Sequence, residues 1–160
     1  MPGKAVAAAL AILVGAALLV AGCQEQRLAE ARNARPVYFV SGNINLWDQA
    51  NATIGLYQRL GETLNVTISG ASSDNRFAFR LINVDGTYND LGSPAVYTVS
   101  KNLWTYPRVN VMVANTPVPP GSYGINLTID FADGYRDTCR VPIEVVERME
   151  SGFWWLPVQS

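Results

Sequence analysis

The stretch Tyr123–Phe131, YGINLTIDF, together with Tyr135–Val145, YRDTCRVPIEV, decides the fold of this chain. In the first segment, aromatic and branched apolar residues alternate with Gly, Asn, Thr and Asp. After the turn at 132–134, ADG, the second segment returns on the same apolar phase, with Asp137 the exception near the turn. A period of two predicts strands with one buried and one solvated face. The two segments therefore predict an antiparallel hairpin with a short turn.

Similar patterns recur upstream of this hairpin. Short apolar or alternating runs predict further strands at 37–40, 54–60, 63–69, 77–81, 96–99 and 109–113, separated by polar, turn-rich stretches at 43–52 and 70–75. No amphipathic helical segment lies between these runs. The pattern predicts an all-β chain, with one antiparallel sandwich of about seven strands over residues 36–147.

Residues 120–123, PGSY, begin the long alternating strand, and a Gly-containing turn and a closing strand follow it. This arrangement resembles the F–G hairpin of immunoglobulin-like and PKD-like bacterial domains. The resemblance implies that Tyr123 is a corner tyrosine, whose hydroxyl hydrogen-bonds back to the preceding connection. Ile125 stands where such domains place the second disulfide cysteine, so the sandwich would have no bridge between its sheets. The aspartate-rich PKD signature is absent from 77–83.

The N-terminal leader, residues 1–22, has the three parts of an export signal: a short segment with Lys4, an apolar run over 5–19, and small residues before Cys23. Val20-Ala21-Gly22-Cys23 resembles the lipobox of bacterial lipoproteins. That resemblance implies cleavage between Gly22 and Cys23, a diacylglycerol on the Cys23 thiol, and often an acyl chain such as palmitate on the new amino group. Two or three chains anchor stably. No other cofactor is expected.

The alternative for the leader is an uncleaved membrane helix. Residues 5–22 would span about 27 Å as a helix, just short of a hydrocarbon core. Either interpretation places the remaining chain outside the cytoplasm, in the cell envelope. Residues 23–35 are polar and are predicted to be a tether. In lipoproteins of bacteria with two membranes, Gln24 after the cysteine implies the outer rather than the inner membrane.

Composition excludes several classes of function. The 12 basic and 13 acidic residues give a formal net charge of −1, so the chain has no excess of positive charge that would favour binding to nucleic acid. The sequence contains no histidine, which removes the usual general base and the usual zinc ligand. The acidic residues near the last turn have no calcium-loop spacing, so no metal site is predicted. If Cys23 carries lipid, Cys139 has no disulfide partner, and its inward phase predicts a buried thiol.

Aromatic residues are the candidates for binding. Trp47, Trp104 and Tyr106 lie in or beside predicted loops, where a ring can stack on a sugar, anchor a partner, or cap the open end of the sandwich. Phe153, Trp154 and Trp155 are consecutive within the aromatic tail, residues 148–160. Neighbouring side chains of a strand point to opposite sides. The tail therefore either folds across its own sheet or docks on another molecule.

These observations favour a membrane-anchored, non-catalytic lipoprotein that serves as an accessory or structural subunit of an envelope assembly, with a protein partner. The alternative is a glycan-binding envelope module that uses the loop aromatics as stacking platforms. An enzyme that works through carboxylates alone is a remote third hypothesis, because no acidic pair is placed for it. The chain is therefore expected not to be an enzyme.

Overall fold

A computed structural model describes residues 28–148. These residues form ten strands and no helix: β1 Ala29–Arg32, β2 Val37–Val40, β3 Gln49–Thr53, β4 Gly55–Gln58, β5 Thr63–Ser72, β6 Phe77–Ile82, β7 Ala95–Ser100, β8 Arg108–Val113, β9 Gly121–Phe131 and β10 Arg136–Val146. The prediction of an all-β chain is confirmed for this range. Within it no helix is long and apolar enough to cross a membrane. The leader and most of the aromatic tail lie outside the described residues.

The larger layer is a five-stranded sheet in the order β2-β10-β9-β5-β7. Its centre is the hairpin predicted from the sequence: β9 and β10 pair antiparallel from Arg136 opposite Asp130 to Val145 opposite Gly121. Their inward residues are buried, as the alternation requires: Ile125, Leu127, Ile129, Phe131, Cys139, Val141, Ile143 and Val145. The hairpin thus supplies one wall of the core.

The second layer is built on a long antiparallel ribbon. β3 and β4 are separated by Ile54 alone, and they run beside residues 102–113, which contain β8. β6 flanks the β3–β8 half of this ribbon, and β1 flanks the β4 half. Apolar side chains of both layers meet in one buried core, which includes Ile54, Leu56, Phe79, Leu81, Val109, Val111 and Val113. The architecture is sandwich-like.

Three details of the prediction were wrong. The structure has ten strands rather than about seven, because the polar segments β1 and β3 also pair. β2 pairs parallel with β10, so the sandwich is not antiparallel throughout. The predicted tether, residues 23–35, contains β1, which pairs with β4 from Ala29 opposite Gln58 to Arg32 opposite Gly55. The folded body therefore begins well before residue 36.

Backbone contacts explain why the predicted tether belongs to the folded body. The Ala31 N–H donates to Asp137 Oδ2 at 2.8 Å, and the Ala34 N–H donates to the Arg140 carbonyl at 3.0 Å. Ala29 and Ala34 are buried in the core. Residues 31–40 thus run alongside β10, first through these contacts and then as β2.

Candidate functional site

Trp104 and Tyr106, two of the predicted binding residues, lie on the segment beside β4. Residues 102–107 run antiparallel to β4 and are fixed by paired hydrogen bonds between Leu56 and Thr105, at 2.8 and 2.9 Å. With β1 on the other side, β4 is the middle strand of a three-strand surface. Because alternate residues share a face, Tyr57, Gly55, Trp104 and Tyr106 lie outward together with Arg32.

Gly55 gives Trp104 its place on this surface. A Cβ on Gly55 would lie 3.1 Å from Trp104 Cζ3, so the indole occupies space that any side chain would take. The Arg32 guanidinium lies over the indole, 4.0 Å from its centroid, and the Tyr57 ring centroid is 5.2 Å away. These contacts hold Trp104 within the protein's own surface and leave it half-buried.

Tyr106 is the freely accessible ring of this group. Its plane lies at 21° to that of Trp104, with the centroids 6.4 Å apart, and 62% of the residue is exposed. A ring that is stacked on one neighbour and otherwise open to solvent can stack on a flat apolar ligand surface. Tyr106 is therefore the better platform, and Trp104 supports it.

An open cleft of about 550 Å³ lies beside Tyr106. Its lining comes from the end of β1, the connection to β2, β3, the start of β4 and the segment before β8: Arg32, Asn33, Arg35, Pro36, Val37, Asn51, Ala52, Thr53, Ile54, Gly55, Trp104 and Tyr106. Two arginines and two asparagines therefore surround a partly apolar floor. We call this the Arg35–Tyr106 cleft.

Trp47 does not belong to this cleft. Its N–H donates to the carbonyl of Val113 at 2.9 Å, at the far end of β8, whereas Tyr106 precedes the start of β8. Seven steps of extended chain lead from Tyr106 to Val113, or about 23 Å at about 3.3 Å per step. Trp47 is 57% exposed and has a positive φ of 71°, a conformation uncommon for a bulky residue. The three candidate platforms thus lie in two separate places, Trp104 and Tyr106 in one and Trp47 in the other.

Tyr123 lies at the start of the central hairpin. Its hydroxyl donates to the carbonyl oxygen of Pro119 at 2.9 Å, which is the contact that a corner tyrosine makes with the preceding connection. Its ring also lies 5.1 Å from that of Phe77. Tyr123 therefore ties the connection between β8 and β9 to the sandwich.

Three of the acidic residues near the turns accept hydrogen bonds from the protein itself. Asp133 Oδ1 accepts from the Tyr135 N–H, and Asp137 accepts from Ala31. The hydroxyl and N–H of Thr87 both donate to Asp85, which lowers the pKa of that carboxyl group. Among residues 28–148, no group of three or more acidic or cysteine side chains could hold a metal ion.

Cys139 is a free thiol buried in the core. Burial, with a smaller contribution from Asp137, raises its pKa to about 12. Burial likewise raises the pKa of Tyr97 to about 12, and the Tyr97 hydroxyl donates to the carbonyl of Ile82. A thiol that stays protonated at neutral pH is a packing group rather than a nucleophile.

The charged side of the cleft is not predicted from the sequence. Arg32 and Arg35 fall within the predicted tether, and Tyr57 lies in a predicted strand. Pro36 indicates in the sequence only where the segment that carries these arginines ends. The pairing of β1 with β4 is what brings the arginines to Trp104 and Tyr106. Gly22, Cys23, Phe153, Trp154 and Trp155 lie outside the described residues.

No protein-family model matches the chain, and no curated protein is similar to it in sequence. Among solved structures, the N-terminal domain of PorA aligns with 8% identity and a TM-score of 0.51, over 73% of this chain and 96% of that one. A lipoprotein from Bacteroides thetaiotaomicron aligns with 17% identity and a TM-score of 0.43, over 76% and 82%. A FixG-related protein from Vibrio parahaemolyticus aligns with 5% identity and a TM-score of 0.48, over 74% and 96%. The first of these likenesses supports the fold alone.

Proposed function

We propose that this chain is a membrane-anchored, non-catalytic lipoprotein that binds a partner in the cell envelope. The observation that carries the binding part is the Arg35–Tyr106 cleft, where an exposed ring, two arginines and two amides meet on a rigid sandwich. Rings and arginines are the residues that most often dominate binding surfaces. The anchor rests on Cys23 and the small residues before it.

The proposed anchor is close in sequence to the start of the folded body. Only five residue steps separate Cys23 from Leu28, where the described structure begins. A fully extended chain covers about 17 Å in five steps. A lipid on Cys23 would therefore hold the folded body near the membrane surface, and the Arg35–Tyr106 cleft, which begins at the end of β1, would lie near it as well.

The anchor is tested by fractionating cells that produce the full chain. We expect the protein in the membrane fraction, with an N-terminal peptide that starts at Cys23 and carries the mass of a diacylglycerol. Cys23→Ser should abolish both observations, whereas the control Cys139→Ser removes a thiol and should keep them. An N-terminal peptide with unmodified Met1 and Cys23 would overturn lipidation.

The partner is tested by gentle solubilisation, affinity capture and mass spectrometry. Tyr106→Ala and removal of residues 152–160 probe the cleft and the aromatic tail separately. We expect a reproducible set of envelope proteins that at least one of these changes removes. A set that neither change affects would contradict both proposed surfaces.

Glycan binding is the second candidate function, and the open ring of Tyr106 beside a polar cleft favours it. The apolar face of a sugar ring can stack on such a ring without needing a deep pocket. Tyr106→Ala should abolish retention on immobilised cell-wall or exopolysaccharide preparations, and Tyr106→Phe, which keeps the ring, should retain it. Equal retention of all three proteins would argue against this candidate.

A further inference from the structure

We propose that the Arg35–Tyr106 cleft binds an acidic saccharide, with a sugar ring on Tyr106 and a carboxylate at Arg35. This inference rests on the glycan-binding candidate above and adds the chemical class of the ligand. Three features of the cleft carry it: its charge, the orientation of its amides, and the fixed backbone at Arg35.

The charge of the cleft favours an anion. Its lining contains Arg32 and Arg35 and no acidic residue within the part of the chain that the structure describes. Glu30 lies beside the cleft, and its Oε1 accepts from Arg32 Nε at 2.7 Å. That pair neutralises much of the Arg32 charge, and its guanidinium is also stacked on Trp104. Arg35 forms no ion pair with any residue of 28–148 and supplies the uncompensated positive charge.

The asparagines present hydrogen-bond donors to the cleft. Asn33 Oδ1 accepts from the Arg140 N–H at 2.8 Å, which fixes the orientation of that amide. Asn51 Oδ1 accepts from Asn110 Nδ2 at 2.8 Å, and Arg80 Nε in turn donates to Asn110 Oδ1. In both amides the oxygen accepts from the protein, and neither NH₂ group donates to an acceptor within residues 28–148, so it is available to a ligand. The Asn33 and Asn51 amides and Arg35 thus form a donor-rich site.

A donor-rich site with an open ring suits an acidic sugar. Carboxylate oxygens accept from arginine, hydroxyl and ring oxygens accept from amides, and the apolar face of a sugar ring covers a tyrosine. The backbone is constrained on both sides of Arg35. Ala34 donates to the Arg140 carbonyl, and Pro36 fixes its own φ and restricts Arg35. A ligand therefore meets a cation whose backbone is already ordered.

The test compares short oligomers of galacturonic or mannuronic acid with their neutral methyl esters, by calorimetry on the full chain in detergent. The ester keeps the sugar face and removes only the charge. We expect the acid to bind at least about tenfold more tightly than the ester, and raised salt to weaken the acid selectively. Arg35→Gln should cost the acid about tenfold and leave the ester unchanged. Tyr106→Ala should weaken both.

Arg148→Gln is the matched control, because it removes an exposed positive charge beyond the far end of β10. It should leave the affinity for the acid unchanged. Equal affinity for acid and ester, with loss in Tyr106→Ala, would overturn the acidic ligand and keep glycan binding. No binding of either form up to about 1 mM would overturn both, while the protein-partner proposal would stand on the capture experiment. If an oligoglutamate bound more tightly than the acidic sugar oligomer, and Arg35→Gln weakened that binding, the proposal of a saccharide ligand would be overturned.

Discussion

Gln58 provides the sharpest test of how β4, and with it the Arg35–Tyr106 cleft, is held in place. Its side chain is fully buried and forms four hydrogen bonds. Nε2 donates to the carbonyls of Gly61 at 2.8 Å and Val99 at 3.1 Å. Oε1 accepts from the N–H groups of Leu60 at 2.7 Å and Gly61 at 3.1 Å. Gln58 therefore joins the end of β4 to its turn and to the edge strand β7.

Gln58→Leu keeps roughly the volume of the side chain and removes all four hydrogen bonds. A net contribution of about 1 kcal/mol for each bond gives about 4 kcal/mol. The more apolar leucine side chain stabilises the folded state by about 1 kcal/mol in the same buried volume. We expect the free energy of unfolding to fall by about 3 kcal/mol, measured by urea denaturation with tryptophan fluorescence.

Gln49→Leu is the matched control, because Gln49 is exposed on β3 and its one side-chain hydrogen bond within residues 28–148 is accepted from Arg80 at 3.5 Å. A surface change of this kind should cost less than about 0.5 kcal/mol. Equal losses in the two variants, or a loss below about 1 kcal/mol for Gln58→Leu, would refute the role assigned to Gln58.

Three further changes test the core and the hairpin. Because the pKa of Cys139 is about 12 in the folded state and 9.0 for an ordinary thiol, the free energy of unfolding should fall as pH rises above about 9, and Cys139→Ala should reduce that slope in denaturation at pH 8 to 11. Gly70→Ala should cost more than about 2 kcal/mol, since its Cβ would lie 2.6 Å from a backbone carbonyl oxygen, whereas the nearest atom to a Cβ on Gly61 is at 3.4 Å and Gly61→Ala should be tolerated. Tyr123→Phe should lower the free energy of unfolding by about 1 kcal/mol, because the hydrogen bond to Pro119 is lost. An unchanged midpoint of thermal unfolding would contradict the structural role of that hydroxyl.

The central hairpin could be predicted because its signal is local. Every second residue of β9 is apolar, and the register of Leu127 opposite Cys139 follows from the short turn. The strands that were missed lack this signal. β3, QANAT, alternates only between polar residues and alanine and buries only Ala52, so its hydrophobic signal is weak. It is a strand because β8 offers it a partner on one side.

The cleft shows why a binding site is harder to predict than a core. Trp104 and Tyr106 are visible in the sequence as loop aromatics, and their neighbours in space come from another part of the chain. Residues 29–32, AEAR, have the polarity and composition of a short helix or a tether. What makes them a strand is a set of distant partners: β4 through the backbone and Asp137 through its carboxylate.

Asp137 is also the one residue that breaks the alternation of the hairpin, and its position explains that break. An apolar residue there would fit the inward phase and leave the Ala31 N–H without its 2.8 Å acceptor. The carboxylate instead fixes β1 beside β10, and β1 in turn places Arg32 over Trp104 and leads directly to Arg35. The exception in the most regular part of the sequence is therefore one of the residues that join the N-terminal segment to the fold. Arg32, the first residue of the cleft, follows the proposed anchor Cys23 by nine residues.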